Sequence, residues 1–430
     1  MGQISCIVVG AGHRAQLYAS YAKTHPNELK IVGVADPDPV RRKQLQDEYS
    51  LDDDMLFRDA SHLAEKDKLA DAIINGTMDK DHVDTTIPLL EKGYDVLLEK
   101  PFALNEAELN KLREAAQRTK RKILICHVLR YAPFYQAIKK HIVEGDIGDI
   151  INIQLTEHVS YHHLAVSYLR GKWNNEDVCG GPMLLTKSCH DMDLLMWLNS
   201  PMELKSISSF GSDFQFCKEK TPVGAGRKCL VDCKIEDSCL YSAKKHYIDH
   251  PDRWSFYVWD CFPEHKKVSL QDKQKKLETD SPYGECVWMN NHNVVDHQTV
   301  AIEFSNGSTA TLNMIGGTSK AERNVHIIGT KGEIKGVFDD SKYVLRKIVT
   351  NNTKGYVETE FDLNIDGDKS GMTGSHGGGD LLLVEDFVKI LNGKKPSISC
   401  TDIYDSIRGH LAVFMAERSR KEHRTIIFDS

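Results

Sequence analysis

A lysine at the end of an apolar stretch is the first residue whose type and position could do chemistry. Val96 to Leu98 predicts a buried strand, and Glu99-Lys100-Pro101 follows it directly. Open α/β sheets bind their ligands outside the carboxyl ends of the strands, so Lys100 is expected to face a bound molecule. A partly desolvated lysine amine can take a proton from a hydroxyl and give it back. The alternative is a charged residue at a solvated strand end.

A second group of chemically useful side chains lies in the segment GGPMLLTKSCHDMD, residues 180–193. The Gly-Pro start and the apolar residues after it predict a helix, on which residues three or four apart share a face. Four polar residues are expected on one such face: Thr186, Lys187, His190 and Asp193. Buried charges must be paired, so packing alone does not readily explain this set. We take Lys187 and His190 as candidate catalytic residues and Asp193 as a candidate substrate contact.

A glycine-rich turn, GAGHRA, follows the first apolar stretch of the chain. This is the GxGxxG/A arrangement of dinucleotide-binding folds, in which Gly10 permits the tight turn and Gly12 lets a pyrophosphate approach the backbone. The start of the next helix, at His13 and Arg14, would face the anion. The alternative is a structural strand-to-helix turn.

An acidic residue supports the dinucleotide interpretation. Asp36 ends the second predicted strand, 24 residues after Gly12. A carboxylate at this place can accept hydrogen bonds from the ribose hydroxyls of NAD and should repel the 2′-phosphate of NADP. Arg41 and Arg42 are close enough in sequence to accommodate the 2′-phosphate of NADP instead. On balance the carboxylate of Asp36 favours NAD over NADP.

The segment from Glu157 to Trp173 is rich in side chains that suit a polar ligand. Imidazole, guanidinium and indole groups can contact hydroxyl and carboxylate groups and the apolar face of a sugar ring. We expect His163, Arg170 and Trp173 to be the substrate contacts. A polar surface loop is the alternative.

Eleven cysteines are present, and six of them fall between residues 217 and 286. The odd total favours reduced thiols. The spacing of Cys229, Cys233 and Cys239 could serve zinc, with Cys217, Cys261 and His246 competing as the fourth ligand. Ordinary half-buried thiols are the favoured interpretation. We predict no metal site.

The pattern of apolar stretches predicts an α/β protein of two domains. Strands predicted at 4–9, 31–35, 72–74, 95–98 and 122–126 alternate with helices, which is typical of a doubly wound parallel sheet, so residues 1–126 are expected to form a Rossmann dinucleotide-binding domain. After residue 126 a helix leads into strands that predict a large, mostly antiparallel open sheet. Residues 127–430 are therefore expected to form an α+β domain for substrate binding and oligomerisation, with an insertion at about 212–290.

Composition and charge exclude several classes of function. Hydrophobic residues make up 40% of the chain, charged residues 27%, and the formal net charge is -7. A net negative surface does not favour nucleic acid or anionic lipid as a partner. No apolar run approaches the roughly 18 to 20 residues that cross a bilayer. The N-terminal residues lack the pattern of a secretory signal, so we expect a cytoplasmic protein that binds no membrane.

Together these motifs resemble the Gfo/Idh/MocA family of NAD(P)-dependent oxidoreductases. The similarity lies in the GAGHRA turn, the ADPDPVRR stretch, the TMDKDH segment at 77–82, EKPF and the helix at 180–193, and it covers the chain outside 212–290. The resemblance implies a sugar or polyol bound between the two domains, and catalytic roles for Lys100 and His190. It also implies that the cofactor site includes Asn75, Thr77, His82 and Glu99 in addition to the turn, Asp36 and Lys100.

One departure from the family pattern concerns the chemistry. Family members commonly carry an aspartate four residues before the catalytic histidine, where this chain has Thr186. Lys187 could then polarise the substrate oxygen. An open sheet with an uncovered face is expected to pair, so the resemblance and this geometry predict a homo-oligomer, a dimer or a tetramer.

Three hypotheses for the function follow. The first is an NAD-dependent dehydrogenase that oxidises a secondary alcohol of a sugar or polyol. The second is a glycosidase that acts by transient oxidation and elimination with no net redox change. The third is a non-catalytic sensor of NAD or a sugar.

Overall fold

The computed structural model describes residues 2–262, 267–363 and 376–428, which fall into two compact units. The first unit comprises Met1–Asp149, Cys189–Met202 and Asp362–Phe414, and the second comprises Ile150–Ser188, Glu203–Phe361 and Met415–Ser430. None of the helices in the described part of the chain has the length and apolar character needed to cross a membrane.

The secondary-structure elements alternate in the first part of the chain. In chain order they are β1 (Ile4–Val9), α1 (His13–Ala19), α2 (Tyr21–Thr24), β2 (Leu29–Ala35), α3 (Pro39–Tyr49), β3 (Leu56–Phe57), α4 (Ala60–Ala64), β4 (Ala72–Asn75), α5 (His82–Glu91), β5 (Asp95–Leu98), α6 (Glu106–Thr119), β6 (Ile123–Ile125) and α7 (Pro133–Val143). The elements that follow are β7 (Ile150–Ser160), α8 (Tyr161–Leu164), α9 (Glu176–Cys179), α10 (Met183–Thr186), α11 (Cys189–Leu198), β8 (Leu204–Ser212), α12 (Ser255–Val258), α13 (Leu270–Glu278), β9 (His297–Phe304), β10 (Thr309–Thr318), β11 (Glu322–Gly329), β12 (Gly332–Val337), β13 (Lys342–Ile348), β14 (Tyr356–Asp362), α14 (Gly379–Leu391), α15 (Ile403–Glu422) and β15 (Ile426–Ile427).

The first unit is built on a six-stranded parallel sheet with the order β3-β2-β1-β4-β5-β6. The central strands carry apolar residues on both faces, because helices cover both sides of a parallel sheet. On one face α14 packs with α1 through residues such as Val384 and Phe387. On the other face α5 and α6 pack with the start of α15, which contributes Ile403 and Ile407. This is the doubly wound parallel sheet that the alternating pattern predicts.

The second unit is built on a nine-stranded sheet with the order β14-β13-β12-β11-β7-β10-β9-β8-β15. Strand β7 pairs in parallel with β10 and antiparallel with β11, and the pairs β10–β9 and β8–β9 are antiparallel. Along β11 buried and half-buried residues alternate, which is the pattern of a sheet with one covered face. The prediction of an α/β fold with a second, mostly antiparallel sheet is confirmed.

Two features differ from the sequence-based expectation. The units are discontinuous, whereas the sequence predicted contiguous segments at 1–126 and 127–430, because α11, α14 and much of α15 belong to the first unit. The helix predicted over 180–193 is two helices, α10 and α11, because the chain turns at Lys187 and Ser188. Lys187 therefore does not continue the helical face that carries His190 and Asp193.

Candidate active site

The carboxyl ends of the parallel strands form one straight edge in the first unit. Strand pairing places five strand-end residues in one row: Ala35, Val9, Asn75, Leu98 and Ile125. The residues that follow them share this edge, which we call the carboxyl edge: Asp36, Gly10, Gly76, Glu99 and Cys126. Neighbouring strands lie roughly 4.8 Å apart, so Gly10 and Glu99, two strands apart, are separated by about 10 Å. The glycine turn and the segment with Lys100 thus occupy the same edge.

The two glycines of the turn have different surroundings. Gly10 has a φ of 75°, and a Cβ placed on it would lie 2.6 Å from the backbone nitrogen of Thr77. Only glycine fits there. A Cβ on Gly12 would meet nothing within 4 Å, so this backbone borders open space at the start of α1. The turn therefore fits a group that must come close to the backbone, such as the pyrophosphate of a dinucleotide.

Asp36 lies on the carboxyl edge beside the turn. Its Oδ2 accepts a hydrogen bond from the backbone nitrogen of Ala11 at 2.7 Å, and its Oδ1 accepts one from that of Asp38 at 2.8 Å. Asp36 is buried, and Arg42 donates to its backbone carbonyl. The carboxylate thus shapes the glycine turn, while each oxygen keeps a second lone pair for a ribose hydroxyl.

Asn75 holds the next loop of the edge. Its side-chain oxygen accepts hydrogen bonds from the backbone nitrogen and the hydroxyl of Thr77, at 3.1 and 2.8 Å. Its amide nitrogen donates to the hydroxyls of Thr85 and Thr86 on α5, at 3.0 and 2.9 Å. Asn75 is buried, so it positions Thr77 at the edge. The expected contacts of both residues with the cofactor stay a prediction.

His82 links this loop to the segment that carries Lys100. The Nδ1 atom of His82 lies 2.7 Å from the backbone oxygen of Pro101, and its Nε2 lies 3.1 Å from that of Thr77. The backbone nitrogen of Lys100 donates to Oε2 of Glu99 at 2.7 Å, and the Lys100 side chain is half-buried. The backbone on both sides of Lys100 is therefore fixed, which orients its side chain.

A buried charge cluster ties α1 to β5. Nε of Arg14 lies 2.9 Å from Oε1 of Glu99, and Arg14 also donates to Asp380 on α14 and to the hydroxyl of Tyr18. Nδ1 of His376 lies 3.2 Å from Oδ2 of Asp380. Burial alone would raise the pKa of both carboxyls, but the neighbouring groups together outweigh it. Arg14 and His376 hold the pKa of Asp380 at about 2, and Arg14, with Lys100 and Tyr18, holds that of Glu99 below its usual value. Both carboxylates are therefore ionised at neutral pH.

His13, the first residue of α1, lies next to this cluster. Burial, together with the nearby charge of Arg14, lowers the pKa of His13 to about 4. Its imidazole is therefore neutral at pH 7 and can donate from one nitrogen and accept at the other.

His190 and Asp193 both lie on α11 in the first unit and are buried. Asp193 accepts two hydrogen bonds from Arg130, at 2.7 Å to Oδ2 and 2.6 Å to Oδ1. This bidentate pair indicates that Asp193 neutralises a buried cation and favours a structural role over the predicted substrate contact. The His190 ring centroid lies 6.0 Å from that of His376, which joins His190 to the charge cluster of Arg14.

Lys187 belongs to the second unit, where it has a partner. Its Nζ lies 3.0 Å from Oε1 of Glu157 on β7, and Nε of Arg323 on β11 lies 2.8 Å from the other oxygen of this carboxylate. All three side chains are largely buried. Thr186 donates to the backbone oxygen of Pro182 within its own helix. The predicted catalytic role of Lys187 stays a prediction, because the ion pair with Glu157 also explains its position.

The predicted substrate contacts of the second unit differ in their surroundings. The ring of His163 lies 4.3 Å from that of Trp254, and half-buried Trp173 stacks against Tyr168 at 6.1 Å. Arg170 is fully buried. It donates to the backbone oxygens of Glu285 and Tyr241, both at 2.6 Å, and to Sγ of Cys229 at 3.4 Å. Arg170 therefore anchors the predicted insertion, and we favour that role over a substrate contact.

The cysteines of the insertion are free thiols. In residues 2–262, 267–363 and 376–428, one group of side chains brings its ligand atoms close enough for a metal ion: His141, Glu144 and Asp146, at the end of α7. Nδ1 of His141 is already 2.6 Å from Asp146. Cys229, Cys233 and Cys239 do not form such a group.

Sequence reasoning missed several residues near the carboxyl edge. His127 follows β6, His410 lies on α15, and both rings are fully buried. Tyr18 donates to Glu99 at 2.7 Å. Because β6 ends in the same row as β5, the position of His127 after a predicted strand is a signal that could have placed it at the edge.

The fold and the edge define a class: a protein with a parallel sheet of the dinucleotide-binding type and a second unit built on an open mixed sheet. Residues 4–127 match the family model described as "Oxidoreductase family, NAD-binding Rossmann fold". Residues 139–219 and 257–426 match "Oxidoreductase family, C-terminal alpha/beta domain". The chain belongs to the Gfo/Idh/MocA family of NAD-binding oxidoreductases, as its motifs predict. Residues 220–256, between the two matched stretches, lie within the predicted insertion.

Similar proteins support this assignment. The chain is 26% identical to a Bacillus subtilis (strain 168) protein named as an oxidoreductase, YteT, over 76% of this chain and 73% of YteT. It is 29% identical to the scyllo-inositol 2-dehydrogenase (NAD(+)) of the same organism over 49% of this chain and 57% of that protein. A solved oxidoreductase from Agrobacterium radiobacter, in complex with NAD+, L-tartaric acid and magnesium, has the same fold: the TM-score is 0.68 at 13% identity, with 99% of this chain and 98% of that chain covered.

Proposed function

We propose that the protein is an NAD-dependent dehydrogenase that transfers a hydride between the cofactor and a secondary alcohol of a sugar, a polyol or a derivative of these. The observation that carries the proposal is the carboxyl edge, on which the glycine turn follows β1 and the segment with Lys100 follows β5, two strands away. The inositol dehydrogenase among the relatives supports a polyol or sugar as the substrate.

The cofactor site would consist of the open backbone at Gly12 and of Asp36 beside it. When bound, the nicotinamide ring of NAD accepts or returns the hydride. Asp36 supports NAD over NADP, because a buried carboxylate repels a 2′-phosphate. The predicted homo-oligomer and the cytoplasmic location stay predictions.

Lys100 is the residue that takes the proton of the substrate hydroxyl, with His190 as its helper. The backbone around Lys100 is held by Glu99 and by His82, which fixes the point on the carboxyl edge from which its side chain extends. Positioned acid–base groups contribute roughly 10²- to 10⁴-fold to a rate.

A substrate screen with two variants tests this function. Purified protein is mixed with NAD+ or NADP+ and a panel of inositols, hexoses and uronic acids, and the fluorescence of the reduced nicotinamide is recorded. We expect reduction of NAD+ with at least one substrate, and a loss of turnover of about 10²-fold or more in a Lys100→Ala variant that still binds NADH. Lys111→Ala, an exposed lysine on α6, is the matched control. If Lys100→Ala turns over substrate at the wild-type rate, Lys100 is not the base. Release of free sugar without formation of NADH would favour the glycosidase hypothesis.

A further inference from the structure

Trp254, in the insertion of the second unit, has an unfavourable backbone conformation. Its φ is 56°, in the left-handed region that bulky side chains rarely adopt, and the residue is 2% exposed. Backbone strain of this kind persists only where the surrounding contacts enforce it, and it is concentrated at functional sites. Trp254 lies outside the two stretches that match the C-terminal family model, so it belongs to a part of this chain that the model does not describe.

Trp254 fixes the tautomer of His162. The indole Nε1 donates a hydrogen bond to Nδ1 of His162 at 2.9 Å, and because an indole N–H can only donate, this Nδ1 must accept. Burial, together with the charge of Arg253, lowers the pKa of His162 to about 4. The ring is therefore neutral at pH 7 and carries its proton on Nε2. Within the described residues no acceptor binds this N–H of the half-buried ring, so it can donate to an oxygen of a ligand.

Two half-buried aromatic rings lie beside this pair. The rings of Trp173 and Tyr257 meet edge to face at 5.7 Å, and we call them the aromatic wall. Tyr257 also stacks against Trp254 at 6.2 Å. Nζ of Lys172 lies 4.2 Å from the ring centroid of Trp173 and 5.9 Å from that of Tyr257. Such rings suit the C–H face of a sugar ring, and the ammonium group gives the wall a positive charge.

Arg253, the residue before Trp254, adds a second positive charge. It is half-buried, and in residues 2–262, 267–363 and 376–428 no carboxylate pairs with its guanidinium. Burial, Arg170 and Arg253 together lower the pKa of His246 to about 3, so the charge of Arg253 reaches His246 as well as His162. A guanidinium that leaves water is normally paired, and its planar fork matches a carboxylate through two parallel hydrogen bonds.

The charges and the rings together define the ligand that fits. Lys172 and Arg253 are cations, whereas His162 is a neutral donor, so the surroundings complement an anion. A small inorganic anion would not use the aromatic wall, and a neutral sugar would leave Arg253 without a partner. A sugar ring that carries a carboxylate satisfies both features.

We propose that the insertion forms a binding site for an acidic saccharide, a uronic acid or a glycoside of one. The carboxylate pairs with Arg253, an oxygen of the sugar accepts a hydrogen bond from Nε2 of His162, and the C–H face of the ring packs against the aromatic wall. Trp254 is a positioning residue, because it acts by holding His162 in the required tautomer. That this saccharide is the substrate of the dehydrogenase rests on the proposed function.

The test uses pairs of sugars that differ only at one carbon. The full-length protein, with NADH absent and then present, is titrated calorimetrically with D-galacturonate and D-galactose and with D-glucuronate and D-glucose. We expect at least one uronate to bind about 10-fold or more tightly than its neutral partner. Arg253→Met should remove this preference and leave the affinity for the neutral sugar unchanged, and Arg253→Lys should restore part of it. Arg227→Met, which replaces an exposed arginine of the same insertion, should match the wild type.

Two further variants test the ring contact and the donor. Tyr257→Ala removes part of the aromatic wall, and Trp254→Phe keeps a ring but removes the indole N–H. Each should weaken the binding of the acid and of its neutral partner by the same factor, because neither changes the charge. Urea unfolding establishes that each variant is folded before its affinity is measured.

The outcomes separate this site from the proposed function. Absence of uronate binding, equal affinity for the acid and the neutral sugar in both pairs, or an Arg253→Met variant that keeps the preference would each overturn the site. If the uronate binds through Arg253 but the wild type oxidises no sugar, the site stands and the dehydrogenase fails. If the wild type oxidises neutral sugars and shows no preference for an acid, the dehydrogenase stands and the site fails.

Discussion

The Nε atom of Arg14 lies 2.9 Å from Oε1 of Glu99, although 84 residues separate them in sequence. This ion pair connects the helix that follows the glycine turn to the residue that precedes Lys100. The same guanidinium pairs with Asp380 at the start of α14. Arg14 therefore holds the glycine turn and the segment with Lys100 in a fixed relative position, which the proposed reaction requires.

Removal of this guanidinium should destabilise the protein strongly. In Arg14→Met, Glu99 and Asp380 would remain buried without their cation, and breaking such a pair costs about 3–5 kcal/mol. The free energy of unfolding in urea measures the loss. Arg58→Met is the matched control, because its pair with Asp59 is exposed and should contribute at most about 1 kcal/mol. Equal stabilities of the two variants would contradict the central position of Arg14.

The same pair predicts a pH dependence. The folded pKa of Asp380 is about 2, below its unfolded value, so its contribution to stability is complete above about pH 4 and is lost as the pH falls toward 2. In Arg14→Met burial should instead raise the pKa of this carboxyl, so the variant should gain stability between pH 7 and pH 5. In urea unfolding at pH 7, 5 and 3, the contribution of Asp380 in the wild type should stay level from pH 7 to pH 5 and fall by pH 3, whereas the stability of the variant should rise from pH 7 to pH 5. The same profile in both proteins would contradict the assignment.

The two glycines of the turn should respond differently to substitution. Gly12→Val adds atoms to open space, so the fold should remain intact while NADH binding weakens by at least 10-fold. Gly10→Ala forces a Cβ to within 2.6 Å of the Thr77 backbone at a φ of 75°, so stability itself should fall by roughly 1–3 kcal/mol. Fluorescence titration with NADH and urea unfolding separate the two effects. If a folded Gly12→Val protein binds NADH as tightly as the wild type, the cofactor does not bind at the glycine turn.

The carboxylate of Asp36 should control which dinucleotide binds. Asp36→Ser removes the negative charge beside the turn, and the ratio of NADP to NAD affinity should rise at least 10-fold with Arg42 close by. Some stability, about 1 kcal/mol, should be lost because Ala11 and Asp38 lose an acceptor. Asp38→Ser is the control for a nearby exposed carboxylate. A constant affinity ratio would show that Asp36 only shapes the turn.

Lys139 provides a test of the packing between α7 and α11. Its Nζ donates to the backbone oxygen of Trp197 at 2.6 Å and to the hydroxyl of Ser200 at 3.0 Å. Burial lowers the pKa of Lys139 to about 8. The unfolded chain then binds the proton more tightly, so this lysine should make stability rise with pH between about 8 and 10.5. In Lys139→Met this contribution should vanish. If the free energy of unfolding in urea depends on pH in the same way in the variant and the wild type, the Lys139 amine is exposed to water and not buried.

Much of the fold follows from hydrophobic patterning. Predicted strands at 4–9 and 95–98 agree with β1 and β5 to within a residue, because short apolar runs between helices leave little choice of position. The edge could be predicted for the same reason: Gly10 and Lys100 each follow a strand that neighbouring helices force to run in parallel.

Other parts of the site could not be predicted, because they depend on contacts between distant residues. The break between α10 and α11 at Lys187 is not marked by a proline or a glycine in the sequence. The sequence predicts that Arg170 contacts the substrate, but its partners are backbone oxygens of the insertion, which no local pattern reveals. His410 lies more than 300 residues from Lys100, and only the packing of α15 brings it to Phe102.

A crystal structure of the protein with NAD+ bound tests the central claim most directly. The measured quantity is the distance from C4 of the nicotinamide to Nζ of Lys100. We predict that the pyrophosphate lies against Gly12 and that this distance leaves room for one substrate carbon and its hydroxyl, about 4–6 Å. A dinucleotide bound elsewhere, or a Lys100 amine directed into bulk water, would contradict the proposed dehydrogenase.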